Sequence, residues 1–483
     1  MSKKQATQSN HSTAAIVISS ALVGGGIAAI SAPQYLVHAA LGGTAFGTVT
    51  ATAMGDRRRK VTGGREVVDH QPLSHSQLFL PHSLQMANIA IDESKSLNIL
   101  VAGRTGSGKT QAIKGFINSV RNRSDIRLVI LDRGGELLQS FYDSSKDLMF
   151  NPTDRRSVGW LHRKEFLGPH SIAKALIAMP EKVNDPIWYE AARILIVEIW
   201  RTTHSNREVL QVLRSPLTEI RDRIAGTQAA QFFEDPKLAT SVLFTLNTFC
   251  RFYESLIDGS NQFSFFEHGA SNRPEWLFFP LLSDNEETFK PLYSMAFDLI
   301  IQGILSRGDN NNMKTIIIID ELGALQKIPS LERLLSEGRK SGGSALIGTQ
   351  SLAQITKTYG QEGTNIFLQN TFTKFIFSCP DPDDSERMAK VIGKQDIWEE
   401  SYSANYSMMG RESVNRAWQP KEKDVVSPSE IQSLADLEGY CVIADSMEVH
   451  KFRIQPRDYG KLNAVFIPNP QAQIDPWQVD IGL

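Results

Sequence analysis

The chain has 483 residues, 41% hydrophobic and 22% charged, with 51 Lys and Arg against 53 Asp and Glu for a formal net charge of −2. That length predicts two or three domains, and the composition excludes a mostly disordered or fibrous chain. The charge balance excludes a generally basic nucleic-acid coat, so any polyanion site must arise from local segregation of charge. Cys250, Cys379 and Cys441 are few and scattered. They offer neither a disulfide framework nor a zinc spacing, and they suit a reducing compartment.

The first sixty residues differ in kind from the rest. From Gln5 through Gly55 there is no Asp, Glu, Lys or Arg. Two apolar runs, Thr13–Ser31 and the weaker Tyr35–Met54, flank Pro33. About 20 helical residues cross a ~30 Å hydrocarbon layer. Lys3 and Lys4 lie before the runs and Arg57, Arg58, Arg59 and Lys60 after them, which places both ends in the cytoplasm. A membrane anchor over residues 1–60 is therefore expected, a helical hairpin with spans at about 13–31 and 35–54. A cleaved signal peptide, or one span with the second run interfacial, are the alternative readings.

The remainder predicts an α/β fold. Asn98–Ala102 and Arg127–Asp132 are short apolar strands on either side of an amphipathic helix. Further strands are expected at Trp276–Phe279, Thr315–Ile319, Ala345–Thr349, Phe372–Phe377 and Tyr440–Ala444. Short apolar strands alternating with helices argue for a mostly parallel sheet covered on both faces. Residues 171–270 instead show apolar residues at helical spacing, such as Trp188, Ala191, Ala192, Leu195 and Ile199. The expected division is a nucleotide-binding domain over 61–170 and 271–460, an inserted all-α domain over 171–270, and a loose tail over 461–483.

The strongest local signal is Gly103-Arg104-Thr105-Gly106-Ser107-Gly108-Lys109-Thr110, a full G-x-x-x-x-G-K-[ST] pattern between a strand and a helix. Glycines let successive N–H groups wrap a phosphate, and the helix adds its positive end. Lys109 would reach the β- and γ-phosphates of ATP, and the Thr110 hydroxyl would ligate Mg²⁺. A hydrolytic site also needs a metal-positioning carboxylate and a means of activating water. The run Ile316–Ile319 followed by Asp320 and Glu321 supplies both at the end of a buried strand. Asp320 would support Mg²⁺ and Glu321 would orient or deprotonate water. The bland reading is two carboxylates capping the next turn.

Gln350, after the strand Ala345–Thr349, would sense the γ-phosphate or simply cap a helix. Arg339, on the Gly-rich stretch Glu337–Gly343, would present a guanidinium to a neighbouring subunit's phosphate or be a solvated loop charge. Asp132, ending the second strand, could touch the metal shell or cap a turn.

The order of GRTGSGKT, LVILDRGGELLQSF, IIIIDELGAL, LLSEGRKSGG, GTQSLAQITKTYG and VVSPSEIQSLADLEGY resembles the TraD/TrwB type of coupling protein from conjugative type IV secretion. The similarity covers roughly Ser96 to the mid-450s. It implies a RecA-like P-loop NTPase domain with an inserted all-α domain, a multi-pass anchor in the bacterial inner membrane among its lipids, and an ATPase domain in the cytoplasm. It further implies a homohexamer that hydrolyses ATP and passes relaxase-linked single-stranded DNA to the secretion channel. Onto matching positions it carries nucleotide and metal binding for Lys109 and Thr110, the carboxylate motif for Asp320 and Glu321, the sensor for Gln350 and the finger for Arg339. Two departures stand out: Arg133-Gly134-Gly135-Glu136 follows Asp132 where the family commonly has Pro, and the loop between the apolar runs is short.

Residue chemistry says less about the substrate. Between Ser171 and Ser260 there are ten Lys and Arg against eleven Asp and Glu, so this segment is no basic platform. The basic run Arg57–Lys60 suits anionic lipid headgroups. Trp188, Phe252 and Tyr253 could stack on bases, but their helical spacing favours core packing. Three functional readings follow: an ATP-driven DNA pump at a secretion channel, a nucleotide-dependent recruitment platform for protein cargo, or an FtsK-type double-stranded DNA translocase. The last would carry more spans and a DNA-reading domain after the final strand.

Overall fold

Four consecutive isoleucines, Ile316–Ile319, are each fully shielded from solvent, as a strand in the middle of a two-faced sheet must be. In the computed structural model they form β11 (Lys314–Ile319), paired in parallel with β6 (Ile126–Arg133) on one side and β12 (Gly343–Thr349) on the other. The structure describes residues 59–69, 84–95, 97–181, 183, 185–259, 262–309, 313–406 and 412–472. The expected membrane spans at 13–31 and 35–54 and the final residues 473–483 lie outside these. Among the described residues no helix is long and apolar enough to cross a membrane.

The remaining strands are β1 (Arg59–Gly64), β2 (Glu66–Asp69), β3 (Leu84–Met86), β4 (Ile89–Ile91), β5 (Ile99–Ala102), β7 (Leu148–Met149), β8 (Gly159–Trp160), β9 (Gln262–Phe263), β10 (Leu277–Leu281), β13 (Thr373–Ile376), β14 (Lys394–Tyr406), β15 (Glu412–Asp424), β16 (Glu438–Ile443) and β17 (Glu448–Arg453). The large sheet has the order β2-β17-β16-β13-β5-β12-β11-β6-β10-β7. Its centre is parallel, and β16 joins β13 and β17 antiparallel. All seven strands expected from sequence are in it. β14 and β15 were not anticipated; with β1 they make a three-stranded sheet belonging to a second compact unit, which among the described residues takes in 59–63, 396–406 and 412–423.

Period-two alternation sorts the isoleucines between the two faces. Ile316 and Ile318 pack with Ile113, Phe116 and Ile117 of the helix Lys109–Val120. Ile317 and Ile319 share a core with Phe279, Leu299 and the helical segment's Leu195 and Ile199. That segment comprises helices Pro169–Leu176, Ile187–Thr202, Asn206–Arg214, Leu217–Arg223, Pro236–Cys250 and Phe265–Ala270. Its core is continuous with one face of the large sheet. Phe252 and Tyr253 are buried, and Trp200 Nε1 donates to the Tyr253 hydroxyl at 2.8 Å, so neither ring is presented to a ligand.

One carboxylate clamps the point where the helical segment leaves and returns. Glu165 Oε1 accepts from Trp160 Nε1 and the Phe265 amide, both at 2.9 Å. Its Oε2 accepts from Ser264 Oγ at 2.8 Å and the Phe266 amide at 3.1 Å. The parallel pair β8–β9 closes the same junction. Residues 461–472, expected as loose, are held against the sheet's neighbours: Ile467 N donates to Asp154 Oδ2 at 2.8 Å and Asn463 Nδ2 to Tyr142 O at 2.6 Å. Backbone hydrogen bonds hold this stretch in place without the apolar pattern that a sequence reading looks for.

Candidate nucleotide site

β5 is buried along its whole length and delivers the chain into the glycine-rich loop. Gly106 has φ 78°, in the left-handed region, and Gly103 at φ 155° has no room for a side chain, since a Cβ there would sit 2.5 Å from Phe377 Cβ. The loop is pinned from three sides. Gly103 N donates to Thr349 O at 3.2 Å, Arg104 N to Ser378 O at 2.8 Å, and Leu437 N to Ser107 O at 2.8 Å. Arg104 pairs with Asp436. The segment around Leu437, recognised in the sequence only as part of a motif, is thus a wall of this loop.

The helix Lys109–Val120 begins directly on the loop. Gly108 caps it at φ 114° with no side-chain acceptor, so its first amides are open to an anion. Thr105 and Gly106 are exposed at the loop tip, and Thr110 is half-buried. Lys109 is buried, and its Nζ donates to Gly103 O at 2.7 Å and Arg104 O at 3.2 Å. Burial pushes the ammonium's pKa down, while Glu321 and Asp320 nearby oppose that shift.

The acidic pair converges on this lysine. Asp320 follows β11 at its carboxyl end, and burial, together with Asp132 and Glu321, raises its pKa to about 7. Glu321 is 4% exposed, raised by burial and relieved by Lys109 and by amides of Gln350 and Gly323. Gln350 follows β12, and its amide donates to Glu321 Oε1 at 3.4 Å. The structure therefore brings Lys109, Asp320, Glu321 and Gln350 to one end of the sheet.

It does not bring Arg339 there. Arg339 is exposed on the turn Gly338–Ser341 that precedes β12, and its Nη2 donates to Ser94 O at 2.7 Å. The seven residues of β12 separate it from Gln350, about 20 Å at ~3.3 Å per residue. Within its own chain Arg339 cannot touch a phosphate held at Lys109.

One residue gains a place that the sequence reading left open. Asp132, fully buried at the end of β6, accepts from the Leu138 amide at 2.6 Å and influences Asp320 electrostatically. Its own pKa is raised to about 6, chiefly by burial. Nothing in the sequence announced its nearness to Asp320, because that follows from β6 lying beside β11.

The donor set suits a nucleotide with a divalent cation: open helix amides, an ammonium, a hydroxyl and hard carboxylate oxygens. Residues 83–455 match the family described as the type IV secretion-system coupling protein DNA-binding domain. The coupling protein TraD of Escherichia coli K12 is 28% identical over 441 residues, 86% of this chain and 61% of TraD. The chain thus spans about three-fifths of that relative. VirD4 of Rhizobium rhizogenes is 23% identical over 153 residues, 31% of this chain and 22% of VirD4. Among solved structures, the unbound bacterial conjugative coupling protein TrwBdeltaN70 superimposes with a TM-score of 0.73 at 24% identity, covering 85% of this chain and 96% of that one. TrwB in complex with ADP and Mg²⁺ gives 0.69 at 23%, covering 85% and 98%. At these identities the likeness establishes the fold.

Proposed function

The chain belongs to the type IV secretion-system coupling proteins, and from that premise we propose that it is a membrane-anchored ATPase that delivers relaxase-linked single-stranded DNA to a secretion channel. The observation that carries the proposal is the convergence of Lys109, Asp320, Glu321 and Gln350 at the carboxyl end of the central strands. ATP with Mg²⁺ is the ligand; the TrwB relative was solved with both ADPNP and ADP plus Mg²⁺.

The residues divide the work. Loop amides from Gly103 to Gly108 and the Lys109 ammonium would hold the phosphates, and Thr110 and Asp320 would hold the metal. Bound Mg²⁺ would neutralise charge developing on the transferred phosphoryl group. Glu321, buried and with its pKa raised by that burial, orients water and, as the carboxylate, takes its proton. Gln350, hydrogen-bonded to Glu321 through its backbone, reports the phosphate's presence to the base. Arg339 acts on the site of an adjacent subunit in a hexamer, because it lies at the wrong end of its own sheet. Such a guanidinium is worth ~10³–10⁵ in rate.

In this reading residues 61–170 and 271–460 are the nucleotide-binding domain and 171–270 the all-α domain. The stretch 1–60 is the anchor in the inner membrane, and the ATPase domain lies in the cytoplasm. Single-stranded DNA should raise ATP turnover, and Lys109→Ala should abolish turnover and transfer together. Transfer that survives Lys109→Ala would end the motor reading.

The near-neutral helical segment supports a second reading, in which nucleotide only assembles the ring and that segment docks protein cargo. Retained assembly and delivery in Glu321→Gln would favour it over a motor.

A further inference from the structure

Asp132 carries an unexplained carboxylate oxygen. The residue is fully buried, and while Oδ2 accepts from the Leu138 amide at 2.6 Å, with the Leu137 amide also favouring the carboxylate, Oδ1 is shielded from solvent and has no hydrogen-bond partner among the described residues. Leaving such an acceptor unmade costs ~1–3 kcal/mol, more for a charged group. A turn cap needs only the first oxygen. The second therefore asks for a ligand.

The surroundings say which kind. Ile319 is in register with Leu131, and Asp320 N donates to Leu131 O at 3.3 Å, so Asp132 and Asp320 are neighbours across adjacent strands, about 4.8 Å apart in the pairing direction. Ile130 and Ile318, two residues earlier on each strand, both pack on the face covered by the helix Lys109–Val120. By the strand's period of two, Asp132 and Asp320 share that face with Lys109. Two neighbouring acids, Asp132 fully buried with a free lone pair and Asp320 partly exposed, form a site for a hydrated cation. Magnesium retains several waters and takes only one or two carboxylates directly, and acceptors behind those waters set its position.

We propose that Asp132 is a positioning residue for Mg²⁺, its Oδ1 accepting from a water of the ion held by Asp320 and Thr110 while its Oδ2 stays on the Leu138 amide. This assignment rests on the nucleotide-site reading above. It makes the helix Glu136–Phe141 part of the metal's support, because one carboxylate bridges the two. It also explains why the turn after Asp132 is built from Gly134 and Gly135, at φ 94° and 80°, which fold the chain back so that the Leu138 amide reaches the carboxylate.

Asp132→Asn separates the two roles. An amide oxygen can still accept from Leu138, whereas the NH₂ that replaces Oδ1 cannot accept from a metal-bound water. The test is Mn²⁺ binding to the full chain saturated with ADP, followed by the paramagnetic resonance of free Mn²⁺. Affinity should fall 10–100-fold, the usual cost of losing such a partner. Affinity for ADP without metal should stay at the wild-type value, and the urea midpoint without ligands should not fall, since the variant also removes a buried charge. Asp132→Glu, which keeps the acceptor, should recover most of the loss and serves should the Asn variant fold poorly.

Mn²⁺ affinity within twofold of wild type in a folded Asn variant overturns the assignment. So does a loss matched by a fall in the ligand-free urea midpoint, which would mark Asp132 as a turn cap alone. If the wild-type chain itself bound no Mn²⁺ with ADP, the nucleotide-site reading would fall, and this assignment with it.

Discussion

Replacing Asp320 with Asn should make the metal-free, nucleotide-free chain more stable, and increasingly so as pH rises. Burial and the neighbouring acids Asp132 and Glu321 hold the Asp320 carboxyl at about 7, against an ordinary 3.8. A carboxyl raised in the folded state contributes fully to stability below about pH 4 and loses that contribution as pH climbs through 7. At about 1.4 kcal/mol per pH unit the loss has a ceiling of ~4 kcal/mol across that window. Between pH 5 and pH 8 part of it has already been lost, and solvent reaches the partly exposed side chain. The expected gain for Asp320→Asn over that interval is therefore ~1–2 kcal/mol. Urea unfolding in the presence of a chelator measures it as a midpoint that falls less in the variant than in wild type between the two pH values. With Mg²⁺ and nucleotide the ranking should reverse, because only wild type gains ligand stabilisation. Identical pH dependence in the two proteins would show that Asp320 carries no buried-charge penalty, and the acidic cluster would lose its electrostatic basis.

Other perturbations test other parts of the structure. Gly103→Ala places a methyl 2.5 Å from Phe377 Cβ; nucleotide affinity should drop at least tenfold in an equilibrium titration, and wild-type affinity would mean the loop relaxes freely. Glu165→Ala removes the acceptor of four hydrogen bonds at the root of the helical segment and should cost ~2–4 kcal/mol in urea unfolding, while a loss under 1 kcal/mol would show that the segment is held elsewhere. Mixing Arg339→Ala with Lys109→Ala subunits should restore part of the ATP turnover that each lacks alone, and no recovery in well-mixed rings would count against a guanidinium acting between subunits.

Much of the site was legible because its signals are local. The pattern from Gly103 to Thr110 encodes its own geometry, since glycines at fixed offsets and a following helix need no distant partner to make a phosphate cradle. Four isoleucines in a row can only be a strand covered on both faces, and the acids that end them must then emerge at the strand's carboxyl end. Features outside the large sheet were not legible. Strands β14 and β15 are polar enough along their length to read as loop, and the stretch 461–472 is fixed by backbone bonds rather than by apolar residues.

Sequence alone therefore determined the phosphate loop, the carboxylate pair and the alternation of strands and helices, because each depends on residues close together in the chain. Strand order decided the rest. Placing β11 between β6 and β12 sets Asp132 beside Asp320 and brings the Gln350 amide to Glu321. The same parallel order leaves Arg339 at the far end of β12. Which side chains share a site depends on which strands are neighbours, and that is chosen by packing two sheet faces at once, not by any one segment's pattern.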